Sequence, residues 1–147
     1  MAEELNVGLL MQIAARAMEQ RVLAALAASG FGDITVAQAR VVAQVDRDGT
    51  RLTTLAERAQ VTKQTAGFLV DQVERGGYVE RVPDPSDRRA RLVLLTARGR
   101  AAADFGNAVA AEVEREWAAH LGAADMRGLR AALTRLRALI EPEAAGG

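Results

Sequence analysis

The stretch Leu52 to Thr96, LTTLAERAQVTKQTAGFLVDQVERGGYVERVPDPSDRRARLVLLT, constrains this chain more than any other. Leu52, Leu55, Ala56 and Ala59 recur at helical spacing, and so do Ala66, Leu69, Val70 and Val73. Gln60 and Val61 leave room only for a tight turn between the two helices. Thr53 or Thr54 is expected to cap the first, with Thr54 and Glu57 at capping-box spacing, and Thr62 the second. Gly76 and Gly77 stop the second helix. Tyr78 to Val82 and Arg91 to Leu95 read as strands. Pro83 to Ala90, PDPSDRRA, reads as a charged loop, because its two prolines remove ladder donors. Helix, turn, helix, strand, loop, strand is the order of a helix-turn-helix with a β-hairpin wing. That arrangement lays one helix in a major groove and a basic loop beside it.

The flanks read as helical. Residues 5–28 carry Leu9, Leu10, Ile13, Ala14, Ala17, Val22, Leu23 and Leu26 near 3-4 spacing, and SGFGD breaks that helix. Thr35 is a good N-cap for a helix to about Val45 that buries Val36, Ala39, Val42 and Ala43 in part. Asp46 to Thr50 is a turn. Thr96 caps a helix over about 97–120, with Phe105, Val109, Val113 and Trp117 at i+4 steps. Gly122 interrupts. A last helix over 124–140 aligns Leu129, Leu133, Leu136, Leu139 and Ile140. The tail EPEAAGG is expected to be disordered. There is no internal repeat.

The expected fold class is therefore mainly α (α+β). Residues 35–96 form a winged helix-turn-helix DNA-binding domain, and residues 1–34 and 97–147 a helical dimerisation region. Pairing is expected because an isolated domain of this size would leave the apolar stripes of its first and last helices partly exposed.

Ala and Leu supply most of the apolar content and only 3% of residues are aromatic, which favours helix over sheet. No apolar run approaches the ~20 residues of a membrane span. The N-terminus, MAEELNVGLLMQ, is acidic where a secretory signal is basic. The absence of cysteine excludes disulfides, thiolate metal sites and cysteine redox sensing. A cytoplasmic protein, held on the bacterial nucleoid through DNA, is the expectation.

Net charge is zero, but its distribution is uneven. Residues 51–100 hold 10 basic and 6 acidic side chains, while 1–50 hold 4 and 6 and 101–147 hold 5 and 7. The middle third is thus +4 and each flank −2, and phosphate attraction follows the local patch.

LAERAQVTKQTAGFLVDQVERGGYVER and GGYVERVPDPSDRRARLVLLTARG resemble the helix-turn-helix and the wing of the multiple-antibiotic-resistance regulator (MarR) family of bacterial transcription factors. The strong match covers residues 52–100; the flanks are similar in layout only. The resemblance implies a homodimeric winged-helix repressor or activator, of which repressor is the expectation. Its terminal helices pair, and a ligand crevice lies between the dimer and DNA-binding parts. Asp87-Arg88-Arg89 matches the family's Asp-x-Arg wing motif. By that resemblance Arg89 enters a minor groove, where negative potential favours arginine. Asp87 orients Arg89 through a charge-assisted hydrogen bond, and Arg88 and Arg91 face phosphates.

Thr62, Lys63, Gln64, Thr65, Gly67 and Phe68 are the candidates for the major groove. Lys63 can reach a phosphate or guanine, and Gln64 can bond bidentately to adenine. Gly67 allows close approach. Phe68 lies opposite the apolar face, and contact with a thymine methyl would account for it. Thr53, Thr54 and Gln38 are candidates for the DNA backbone. The expected partner is a pseudo-palindromic duplex operator with half-site centres ~10 bp apart.

Some family members bind aromatic or phenolic anions, and Met11, Met18, Trp117 and His120 are the candidates to line such an effector site. One histidine without cysteine makes a zinc site a poor fit, so no metal or cofactor is expected. No nucleophile motif, phosphate-cradling glycine loop or HExxH is present, which leaves an enzyme reading without support. The alternative is a winged-helix protein–protein interaction module without DNA binding. Arg88, Arg89 and Arg91 speak against it, because protein interface cores are depleted of charge. A remoter rival is a ligand-carrying helical dimer that has lost DNA binding.

Overall fold

The computed structural model describes residues 3–141, so most of the C-terminal tail and its expected disorder lie outside the described residues. Among the described residues, six helices and three strands follow in order. They are α1 (Val7–Ala28), α2 (Val36–Val42), β1 (Thr50–Arg51), α3 (Leu52–Ala59), α4 (Lys63–Arg75), β2 (Val79–Asp84), β3 (Asp87–Leu95), α5 (Ala97–Leu121) and α6 (Ala123–Ile140). The strands form one antiparallel sheet in the order β1-β3-β2. Two compact units divide within α5, one of residues 1–110 and one of 111–147.

In the first unit, α3 and α4 pack against each other and α2 packs on both. Leu55, Ala66, Val70 and Val73 are almost fully buried, joined by Val41, Tyr78, Val79 and Val93. The apolar face expected for α4 is the buried one: Ala66, Leu69, Val70 and Val73. α2 is shorter than expected, and it buries Val41 and Val42 while Val36 and Ala43 are exposed. Its orientation is fixed at both ends of Gln38. The Gln38 carboxamide oxygen accepts from the Thr35 N–H in a reciprocal capping box, and its nitrogen donates to Gln72 Oε1 of α4 at 3.0 Å.

The α3 cap differs from expectation. The helix begins at Leu52, one residue before Thr53, and its N-cap Arg51 makes no side-chain cap bond. Residues 50–51 are held as β1, paired Thr50↔Val93 and Arg51↔Leu92, so strand pairing rather than a threonine sets the start. The turn into α4 follows the sequence. Gln60 takes a left-handed conformation (φ 57°), and the Thr62 hydroxyl accepts from the Thr65 N–H. α4 ends in a Schellman arrangement, with Tyr78 N–H donating to Val73 O at 2.9 Å and Gly77 N–H to Glu74 O at 3.0 Å. Gly77 supplies the positive φ of 80° that this stop requires.

The wing corrects the expected loop. β2 and β3 run on to Asp84 and from Asp87, leaving only Pro85 and Ser86 as the turn. Pairing is regular from Val79↔Leu95 to Pro83↔Arg91 and then jumps to Asp84↔Asp87. Arg88, Arg89 and Ala90 are thus three extra residues on β3 alone, a larger insertion than the one-residue bulge. Pro83 is tolerated because β2 is an edge strand.

In the second unit, Arg130 of α6 pairs with Glu114 of α5, and Gly122 is the N-cap of α6 with a φ of 92°. Leu129, Leu133, Leu136, Leu139 and Ile140 are 40–77% exposed, so the aligned apolar face of α6 is open to solvent in the single chain.

Candidate nucleic-acid interface

The N-terminus of α4 presents Thr62, Lys63, Gln64 and Thr65 to solvent. Two of these are partly occupied, since the Thr62 hydroxyl both caps the helix and donates to Thr65 Oγ1 at 3.0 Å. Further along, Phe68, Asp71 and Arg75 face outward. Phe68 is 59% exposed, while every other large apolar side chain of α4 is buried. A Cβ added at Gly67 would meet only Leu52 Cδ2, at an ordinary 3.6 Å, so packing does not demand glycine there.

The wing is held to this helix by an arginine that sequence reasoning missed. Arg81 of β2 donates from its backbone and Nη1 to Glu74, at 2.9 and 2.8 Å, and from Nη2 to Asp71 at 2.7 Å. The signal was present as basic and acidic residues of neighbouring elements, but pairing them requires the turn at Gly76-Gly77.

The wing tip is built on two aspartates, each turning the backbone two residues on. Asp84 is buried; its Oδ1 accepts from the Ser86 N–H and hydroxyl at 2.9 and 2.7 Å, and its Oδ2 from Arg51 Nε and Nη2 at 2.9 and 2.7 Å. The Ser86 bonds, followed by Arg51, hold the Asp84 carboxyl below the usual carboxylate range. Asp87 Oδ1 accepts from the Arg89 backbone N–H at 3.0 Å. Asp87 therefore orients Arg89 through its main chain and not through the guanidinium, which corrects the expected charge-assisted bond. Arg88, Arg89 and Arg91 are all exposed.

The remaining candidates divide. Thr53 is exposed and Thr54 half-buried, near the start of α3. Gln38 is half-buried, with one amide N–H given to Gln72 and its oxygen accepting from Thr35, so only part of its amide is left to meet DNA. Met11 is exposed and Met18 half-buried on α1, within the first unit; Trp117 is half-buried and His120 exposed on α5, within the second. A cavity of about 370 Å³ lies in the first unit and none of the four lines it. Its walls are largely aliphatic, including Val22, Leu26, Val42 and Leu95, with Arg47 and Arg100 among its polar groups. Among the described residues no group of acidic or histidine side chains is placed to hold a metal, and no helix is long and apolar enough to cross a membrane.

A cluster outside the groove face ties the frame to α4. The Tyr78 hydroxyl donates to Asp33, and Arg98 of α5 donates to Asp33 and to the Gly76 and Gly30 carbonyls. Thr96 closes it, with its N–H donating to Tyr78 O and its hydroxyl to Gly77 O.

The family model described as MarR family matches residues 32–90. The transcriptional regulator HosA of Escherichia coli O127:H6 is 32% identical over 92 residues, which cover 62% of this chain and 68% of HosA. HosA of Escherichia coli O111:H- is 38% identical over 68 residues; that match takes in 46% of this chain and spans only half of that regulator's length. Among solved structures, a MarR family protein of Mycobacterium tuberculosis in complex with salicylic acid is similar with a TM-score of 0.67 at 28% identity, covering 92% of this chain and 99% of that one.

Proposed function

The chain belongs to the MarR family of transcriptional regulators, and on that premise we propose that it works as a homodimer that binds a pseudo-palindromic duplex operator, represses from it, and leaves it when a small molecule binds. The observation that carries this reading is the outward face of α4, with Lys63, Gln64, Thr65 and Phe68 exposed, in the same unit as a wing whose Arg88, Arg89 and Arg91 are all exposed. We assign DNA binding to residues 35–96 and pairing to 1–34 with 97–147. Pairing is supported by Leu9, Leu10 and Ile13 of α1, which are 40–51% exposed, and by the open face of α6. Apolar surface so arranged marks an interface.

Effector release is supported by the cavity of about 370 Å³, which lies within the range of small-molecule sites. Val42 of α2 forms part of its wall, and α2 is bonded to α4 through Gln38 and Gln72. A molecule that displaces α2 therefore displaces the recognition helix. The salicylic acid held by the Mycobacterium tuberculosis relative supports a small aromatic acid here. Met11, Met18, Trp117 and His120 stand as a separate candidate set.

Fluorescence anisotropy on duplex DNA from upstream of the chain's own gene tests the reading, with a scrambled duplex and a salt series. Selective binding with a steep fall in affinity as salt rises is expected. No binding to either duplex would favour the protein-binding alternative. Light scattering at micromolar concentration should give a dimer, and transcription from the bound promoter should fall when the protein is added.

A further inference from the structure

We propose that Phe68 is a methyl reader: it makes binding depend on one C5-methyl group of a pyrimidine in the major groove of each half-site. This rests on the DNA-binding reading above and deepens it. α4 buries Ala66, Leu69, Val70 and Val73 at 0–8% exposure and leaves Phe68 at 59%. No protein packing explains an exposed phenylalanine on that face. Its surroundings are polar, with Gln64 one turn before it, Asp71 one turn after it, and Lys63 at the helix start. That polar and cationic setting, continued by the exposed wing arginines, suits a polyanion better than an apolar protein surface. The major groove of DNA offers one apolar group to such a side chain, the C5-methyl of thymine, and 5-methylcytosine carries the same group in the same place.

Asp71 shares this face, but its carboxylate is engaged by Arg81 Nη2 at 2.7 Å, and Arg81 is itself anchored on Glu74. The acid beside Phe68 is thereby held back against the wing strand. Phe68 is left as the side chain free to advance at mid-helix. Gln64 lies four residues earlier, about 6 Å along the helix axis. That is less than two base-pair rises of about 3.4 Å. The pair thus reads an adenine and a methylated pyrimidine no more than two base pairs apart.

The test begins by selecting bound duplexes from a random library with the full chain. Each thymine of the selected operator is then replaced in turn by deoxyuridine, which removes only the methyl. One thymine per half-site should weaken wild-type binding about fourfold, the worth of one buried methyl-sized group. Phe68→Ala, at an exposed position that the fold does not need, should bind more weakly and lose discrimination at that thymine alone. Replacing that thymine by cytosine should weaken wild-type binding, and 5-methylcytosine should recover most of the loss. If duplexes are enriched but no uracil matters, or if Phe68→Ala keeps the same sensitivity, the methyl-reading role is overturned and DNA binding stands. If no duplex is enriched, both fall. A change of oligomeric state in Phe68→Ala without change in the uracil profile would place a second copy of the chain on Phe68 instead, and overturn the proposal.

Discussion

The Tyr78 hydroxyl donates to Asp33 Oδ1 across 2.5 Å, joining the stop of α4 to the loop between α1 and α2. Arg98 of α5 stands 4.3 Å from the Tyr78 ring centroid and donates to the same carboxylate at 3.1 Å. Three segments far apart in sequence meet here, so a shift of α1 or α5 reaches α4 through a few bonds. Burial, and then the Asp33 carboxylate, push the tyrosine up to about 12. The tyrosine bond in turn is the chief cause that holds Asp33 below the usual carboxylate range.

Tyr78 is the single tyrosine of the chain, so its ionisation can be followed by absorbance without assignment. An unfolded tyrosine ionises near pH ~10. A folded value raised above the unfolded one stabilises the fold fully below the unfolded value, and the contribution is lost as pH rises through the folded one. The window of loss is therefore from about 10 to about 12. Native protein should titrate near the upper limit and urea-unfolded protein near the lower. A native midpoint equal to the unfolded one would mean that neither the burial of the ring nor the Asp33 bond holds in solution.

Gly99 backs this cluster. A Cβ there would lie 1.9 Å from Tyr78 O and 2.9 Å from Tyr78 C, and both are backbone atoms that cannot swing aside. Gly99→Ala should cost on the order of 3 kcal/mol or more, the range of strain at a position without room. Gly128→Ala is the control, since its Cβ would meet nothing within 4 Å. Thermal unfolding of the two variants side by side measures the difference. Equal midpoints would mean that α5 can move away from the Tyr78 carbonyl at little cost.

Asp84 makes the wing tip sensitive to acid. Its folded value is depressed, so its contribution is present above the ordinary carboxylate value and is lost as pH falls through the lower, folded one. Amide exchange at Ser86 should stay slow until pH is taken below about 3.9. In Asp84→Asn the exchange should be faster and lose that acid step. Arg51→Ala should loosen the wing less, because Arg51 acts after the Ser86 bonds and its side chain is 46% exposed.

Arg89→Ala should weaken operator binding by roughly 1–3 kcal/mol while leaving thermal stability unchanged. The residue is exposed and lies in the insertion that β3 alone carries. Asp87→Ala should do less, because Asp87 Oδ1 fixes only the Arg89 main chain. A folded Arg89→Ala protein that binds as tightly as wild type would remove the wing from the interface.

What was legible in the sequence followed from local rules. Ala66, Leu69, Val70 and Val73 share a face because helix geometry puts them there, and Thr62 caps α4 because its hydroxyl is three residues from an orphan amide. What was not legible depends on partners distant in the chain. β1 is two residues long and exists only because Val93 and Leu92 lie beside it. Thr53 and Thr54 fit a capping rule, yet pairing at Arg51 decided where α3 begins. The two prolines argued for a loop, but Pro83 sits on the edge strand where no donor is needed. At the interface, residue identities were readable, while the Arg81 clamp and the Arg51–Asp84 pair needed coordinates.

Gly67 offers a prediction in which stability and binding part. Within α4 a glycine costs roughly 1 kcal/mol relative to alanine. The added Cβ would find Leu52 Cδ2 at 3.6 Å, a favourable contact and no clash. Folding alone therefore gives no reason for glycine, and Gly67→Ala should raise the unfolding temperature by a few degrees. The same position adjoins Phe68 on the border of the face proposed to meet DNA, where a methyl group would hold the helix off the bases. Operator affinity should then fall, and more than affinity for a scrambled duplex, because base contacts are lost while phosphate contacts adjust. Unfolding curves and anisotropy titrations on one preparation measure both. A variant that is more stable and binds as well as wild type would show that α4 does not lie close against the groove floor at Gly67.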